Sequence, residues 1–282
     1  ATSWASGCSV CPRSRRRAEP RRREAVQPFE RLRAAVRWSS GLDEWSLLAE
    51  SIQCLAGFDD DPAGLVMACR RLLVHHPHPA RLWWVCARVA TAIGPADAAW
   101  DAWDRLELDA TPSRLAEAVG APEGPVLVLG WDDTVDVLAR DRPDLDVVAV
   151  RTGDDAALSL ALRRSGVGAR VVDVVEAAAF DAATVLVPIA AAGAGAVRRA
   201  PAVARTIARL EAPGPVLLVA PLGTVLPEGL FGAYHRANPD RVVPFDGSSV
   251  GGVVGPTGRQ DPRAFAHRRD TSEAPELLRL TI

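Results

Sequence analysis

A chain of 282 residues, 48% hydrophobic and 24% charged, is long enough for one large or two small domains, and needs neither disulfides nor metals as staples. Its net charge of −2 excludes a nucleic-acid binder by overall charge, and its composition excludes collagen-like, membrane and wholly disordered classes. All 33 basic residues are arginine, a bias that fits GC-rich coding better than a binding role. The chain begins at Ala1 and its single methionine is Met67, so the native start is expected to have been cut away or misplaced.

Residues 1–40 hold ten arginines against Glu19, Glu24 and Glu30, a net of +7 that leaves −9 for the rest. The run from Arg13 to Arg23 reads as a disordered basic arm, and only there would nucleic acid or an acidic partner be met. The arm lacks the apolar core of a secretory signal. No later segment offers a run of about 18 uncharged apolar residues, so no membrane span and a cytoplasmic location are expected. Cys8 and Cys11 form a CxxC with no second pair at zinc-ribbon spacing, and Cys54, Cys69 and Cys86 fall in apolar helical patterns as core residues. His75, His76 and His78 are separated by Pro77 and ended by Pro79, so no metal site is expected.

From 41 to 120 the pattern predicts a helical domain. Leu42, Trp45, Leu48, Ala49, Ile52 and Leu55 recur at spacings of three and four. Asp61-Pro62 supplies an N-cap and a first-turn proline for a second helix that ends before Pro77. A third helix, over Ala80 to Ala92, carries Trp83 and Trp84; a fourth opens at Pro95 with Trp100 and Trp103; a short fifth opens at Thr111. Seven of the eight tryptophans precede residue 104, and those at helical spacing read as core packing, with a subunit interface as the other use.

After Gly120 the period changes. Short apolar runs at Pro125–Gly130, Asp146–Val150, Ala169–Val172, Thr184–Pro188 and Pro215–Ala220 read as buried parallel strands. Helix-like segments at Asp132–Arg140, Asp154–Ser165 and Ala194–Leu210 alternate with them. The expected architecture is a Rossmann-like α/β domain over 121–245, a parallel sheet with helices on both faces. Residues 246–282 read as an extended, loosely ordered tail whose end, Ala274–Arg279, docks back on the body.

Open parallel sheets bind ligands at the carboxyl ends of their strands, which singles out Trp131, Asp132, Asp133, Arg151, Thr152, Gly193, Gly195 and Thr224. Asp132 and Asp133 suit helix capping. Arg151 with Thr152 and the next amides suits a phosphate, or is an exposed charge at a strand end. Gly193 and Gly195 permit close approach of a ligand or of a helix. GxGxxG, HExxH, GxxxxGK[ST] and a Ser-His-Asp order are all missing, so no cofactor is expected.

Pro215-Val-Leu-Leu-Val-Ala-Pro-Leu-Gly-Thr224 resembles the PFYVAAPxST strand of methylthioribose-1-phosphate isomerases, whose family includes ribose-1,5-bisphosphate isomerases and the alpha, beta and delta subunits of translation initiation factor 2B. Asp181-Ala-Ala-Thr-Val-Leu-Val-Pro-Ile-Ala-Ala-Ala-Gly193 is similar to their xDxVLVGADxVxxNG segment. Val148–Arg151, Leu158–Leu162, Gly166 and Val171–Asp173 follow the order of a third stretch, and Thr271–Leu278 is similar to their D.TPPELI ending. The resemblance covers about residues 45–280 and implies a helical domain before an α/β domain, with pairing of two copies through the latter. The departures bear on activity. The isomerases' cysteine after the first strand aligns with Trp131 or its neighbours, and their GAD aspartate with Ala190; Arg198–Ala202 replaces NKIGT, and only Arg151 survives of an Arg-Pro. Without the acid, proton transfer has no evident carrier. The resemblance therefore implies a non-catalytic homodimeric relative binding a phosphorylated sugar or nucleotide. The alternatives are an interaction protein without a ligand, and a divergent enzyme in which Asp132 or Asp133, its pKa moved toward neutrality by burial, serves as acid or base.

Overall fold

A computed structural model describes residues 30–33, 44–153, 155–181, 184–193, 196–199, 206–207, 214–239, 243–245, 250–265, 268 and 270–278. Cys8, Cys11, the Arg13–Arg23 arm and Gly195 lie outside the described residues. After a helical stretch at 30–33, the described residues form α1 (Glu44–Leu55), α2 (Pro62–His75), α3 (Ala80–Ala90) and α4 (Pro95–Glu107). Asp61 caps α2 as expected, its Oδ1 accepting from the Gly64 amide at 2.8 Å. Trp83, Trp84 and Trp103 are buried between these helices with Cys54, Cys69 and Cys86, so the tryptophan stripe is core packing.

Next, α5 (Thr111–Val119) leads into β1 (Val126–Val128), α6 (Asp133–Asp141), β2 (Val147–Val150), α7 (Asp155–Ser165), β3 (Arg170–Val172), α8 (Val174–Ala178) and β4 (Thr184–Pro188). A small antiparallel sheet follows from β5 (Ala191–Gly193), β6 (Ala196–Arg199) and, after β7 (Val216–Val219) and α9 (Glu228–Ala237), β8 (Val243–Phe245). The chain closes with β9 (Gly252–Gly255), β10 (Gly258–Gln260), α10 (Pro262–Phe265) and a 3-10 turn at Pro275–Leu277.

The main sheet has the order β10-β9-β7-β4-β1-β2-β3, parallel throughout except for the β9–β10 pair. Alternate strand residues face opposite layers, and both are buried. Val126, Val128, Leu217 and Val219 pack under Leu115 of α5 and Val135 and Leu138 of α6. Leu127, Val148, Val185 and Leu218 pack under Ala177 of α8 and Phe265 of α10. The α/β expectation, with helices on both faces, therefore holds.

Three readings need correction. The fifth helix, α5, belongs to the core of the sheet and not to that of the helical part. The predicted helix at Ala194–Leu210 holds only in part: Thr206 and Ile207 are helical, but Ala196–Arg199 is a strand that pairs with both β5 and β8, and partner strands override the helix propensity of alanine. The supposedly loose tail supplies β9, which pairs in parallel with β7 at the heart of one sheet half, and β10 beside it. Its end does dock back: Ala274 and Leu277 are buried in the helical core.

Candidate functional site

The chain runs from β1 outward to β2 and β3, then returns to the other side of β1 for β4, β7 and β9. The order thus reverses between β1 and β4, the position at which the strand ends of an open parallel sheet ordinarily take a ligand. Gly130, with φ +107, turns the chain out of β1 there. Trp131 is half-buried beside the α5–α6 layer, and among the described residues its buried indole nitrogen has no hydrogen-bond partner.

Asp132 is the N-cap of α6, Oδ1 accepting from the Val135 amide at 2.9 Å. Burial pushes its carboxyl up to about 6; the Val135 bond and Arg81 pull it down, while Asp133 and Glu44 push it further up. Asp133 begins the helix proper and accepts a hydrogen bond from the Trp45 indole. Trp45 meets Trp103 edge-on at 6.0 Å, and the Arg81 guanidinium lies 5.3 Å above its ring. Arg81 is 7% exposed and pairs with Glu44 at 3.5 Å. Burial works against its charge, but Glu44, Asp132, Asp133 and Asp109 outweigh that and raise its pKa.

On the neighbouring strand, Arg151 is exposed at the exit of β2, its amide donating to Val172 at 2.9 Å. Thr152 is half-exposed, and Gly153 turns away with φ +126. Across the switch point, Gly193 and Thr224 come together where Ala192 bridges Val225. A Cβ at Gly193 would stand 2.5 Å from the Phe231 ring, so its bare backbone serves the seating of α9. Thr224 is buried, and its hydroxyl donates to the Pro221 carbonyl at 2.7 Å.

The turn after β7 also has its amides engaged. Leu222 donates to Asp109 at 2.9 Å, and the Gly223 amide to Asp270. Gly223, at φ +83, lets Arg81 press against it: a Cβ there would lie 3.2 Å from Arg81 Cγ. Arg268 holds Asp270 with two bonds of 2.7 Å, and burial raises the Asp270 pKa in spite of that pair.

The structure thus places Trp131, Asp132 and Asp133 at one wall, Arg151 and Thr152 one strand away, and Gly193 with Thr224 on the far side of β4. Sequence reasoning missed Trp45, Arg81, Asp109 and Asp270. The one available signal was Arg81, a charge immediately before the Leu-Trp-Trp run of a helix buried on nearly all sides. Among the described residues, no group of three or more His, Cys, Asp and Glu could hold a metal ion.

No family model matches the sequence, and a search of curated proteins finds no match. Solved structures do match. Translation initiation factor eIF-2B from Pyrococcus horikoshii OT3 superposes with a TM-score of 0.61 at 12% identity, over 85% of this chain and 98% of that one. The eIF2B beta subunit from Chaetomium thermophilum gives 0.59 at 14%, over 83% and 85%. The tetrameric eIF2B-beta2-delta2 complex from C. thermophilum gives 0.58 at 14%, over 85% and 91%. Helical part, switched parallel sheet and near-complete coverage agree, and the chain has the fold of the initiation factor 2B subunits.

Proposed function

We propose that the chain is a non-catalytic protein of the initiation factor 2B kind that binds a phosphorylated sugar or nucleotide at the carboxyl ends of its central strands. The observation that carries this reading is the reversal of strand order between β1 and β4, with Arg151 exposed at the end of the neighbouring β2 and followed by Thr152 and Gly153. A guanidinium forks onto phosphate oxygens and backbone amides complete the cradle. Trp131, Asp132 and Asp133 after β1, with Gly193 and Thr224 across β4, would complete the site; Gly195, the last candidate, lies outside the described residues. The absence of a cysteine from the stretch after β1, and Ala190 in place of the isomerases' aspartate, support a role without turnover. A second copy of this chain is the expected partner, as one neighbour is a tetramer of paired subunits. The cytoplasm is the expected setting; among the described residues no helix is long and apolar enough to cross a membrane.

A second reading is favoured by one observation. Asp132, at the switch point with its carboxyl pushed up to about 6, is poised as a general acid or base in a divergent enzyme.

Thermal unfolding of the full chain against sugar phosphates, nucleoside mono- and diphosphates and inorganic phosphate tests the binding. One ligand class should raise the melting temperature, equivalent to about 2.7 kcal/mol at a hundredfold excess over Kd, and Arg151→Ala should abolish the shift. A flat response across the panel would leave an interaction protein without a ligand. Turnover of the stabilising ligand, with a pH profile breaking near 6 and lost in Asp132→Asn, would establish the enzyme instead.

A further inference from the structure

The solvent face of α2 is not that of an ordinary surface helix. Its inner side, with Leu65, Ala68, Cys69, Leu72 and Leu73 buried, packs against α1, α3 and the Pro275–Leu277 turn. At about 100° of rotation per residue, Ala63, Val66, Met67, Arg70, Arg71 and Val74 then share the outer side. A surface helix ordinarily shows charged and polar residues there. This one has no acidic residue along its length and leaves Met67 66% and Val74 38% exposed, with Ala63 exposed and Val66 half-buried beside them.

Charge is divided between the two ends of that face. Asp59, Asp60 and Asp61 stand exposed just before the helix, and Arg70, Arg71 and His75 occupy its second half. Asp61 accepts from the Gly64 amide, Asp59 from the Ala96 amide, and Arg70 donates to the Glu276 carbonyl at 2.7 Å. Those partners are neutral, and among the described residues neither Arg70 nor Arg71 forms an ion pair. Acids at a helix start and bases at its end suit the helix's own dipole. The dipole leaves the apolar middle unexplained. Single exposed apolar residues are ordinary, whereas a row of them rimmed by charge marks an interaction site.

We propose that α2 is a self-complementary docking face, taking the α2 of a second copy of this chain in antiparallel orientation about a two-fold axis near Val66 and Met67. A two-fold contact requires a surface that matches its own rotated image. Antiparallel pairing about that axis sets Asp60 of each copy beside the partner's Arg71, closes the apolar residues over one another between them, and opposes the two helix dipoles. An acidic peptide or an anionic lipid surface would satisfy the basic half alone. A helix of 14 residues is about 21 Å long, and one such pair covers less than the roughly 800 Å² per partner of a standard interface. The contact is therefore a second one, joining copies already held together elsewhere, and in that respect it rests on the self-association proposed above.

Sedimentation velocity of the full chain across a wide concentration range tests the face. Wild type should reach a tetramer by way of a dimer. Met67→Asp, at an exposed position, places two carboxylates at the axis and should stop assembly at the dimer. Arg71→Glu should weaken the dimer-to-tetramer step about tenfold or more, and Asp60→Arg added to Arg71→Glu should recover it. Recovery can come only from a contact between copies, because the two positions lie about three helical turns apart within one chain. A wild-type dimer that Met67→Asp splits into monomers would uphold the face and overturn the other contact. A dimer or tetramer unchanged in both single variants would overturn the face and leave self-association standing, whereas a monomer at every concentration would overturn both. Cosedimentation of monomeric wild type with phosphatidylserine vesicles, lost in Arg71→Glu, would assign the face to lipid instead.

Discussion

Asp132 occupies the one position where capping and burial pull in opposite directions. Its Oδ1 satisfies the Val135 amide, while desolvation lifts its pKa from 3.8 to about 6. A carboxyl raised in the folded state is destabilising wherever it must ionise: the penalty is absent below the unfolded pKa, grows as pH rises, and is complete above the folded one. Asp132→Asn keeps an oxygen for the cap and removes the charge, so it should stabilise the fold at pH 8 by roughly 2 kcal/mol, with the gain gone by about pH 4. Chemical denaturation at the two pH values measures this, and an Asn variant less stable than wild type at pH 8 would show that the charge is welcome there. Gly193 has a different constraint. With the Phe231 ring 2.5 Å from any added Cβ, Gly193→Ala should cost about 1–3 kcal/mol, and Phe231→Leu in the same chain should recover part of it. Recovery would locate the strain in that contact rather than in the backbone.

The turn after β7 is where separate elements are tied together. Asp109, from the end of the helical part, and Asp270, from the C-terminal segment, take the successive amides of Leu222 and Gly223, and Arg81 of α3 packs on Gly223. The Trp84 indole of α3 donates to the Asp270 carbonyl at 3.0 Å, so one short segment joins α3 to the sheet. The Arg268–Asp270 pair is nearly buried, with side-chain exposures of 11% and 7%. Asp270→Ala would strand the arginine and lower stability by about 3 kcal/mol or more, whereas pairing it with Arg268→Met should restore a good part. A single variant no less stable than wild type would remove this segment from the account of how the two parts are held together.

Across the chain, the two parts interlock instead of sitting side by side. The helical core is completed by Leu230, Phe231 and Tyr234 of α9 and by Ala274 and Leu277 near the C-terminus, all of which follow β7 in the chain. Tyr234 meets Trp83 edge-on at 5.9 Å, and its hydroxyl donates to the His78 carbonyl at 3.0 Å.

The strands of the sheet from β1 to β7, the helices from α1 to α4 and the caps at Asp61 and Asp132 were legible because each is set by periodicity and side-chain chemistry within a few residues. So was the placement of Arg151 and Asp132 at strand ends, since the ends follow from the runs. The tail strand Gly252-Val-Val-Gly255 was illegible: four residues bounded by glycines carry no period, and only pairing with β7 makes them a strand. The Ala- and Gly-rich stretch before Arg198 misled, because helix propensity is a weak preference that strand partners overrule. Arg81 was hidden for another reason. Its four acids come from positions 44, 109, 132 and 133, and the potential they create depends on distances through space that the fold alone brings within range.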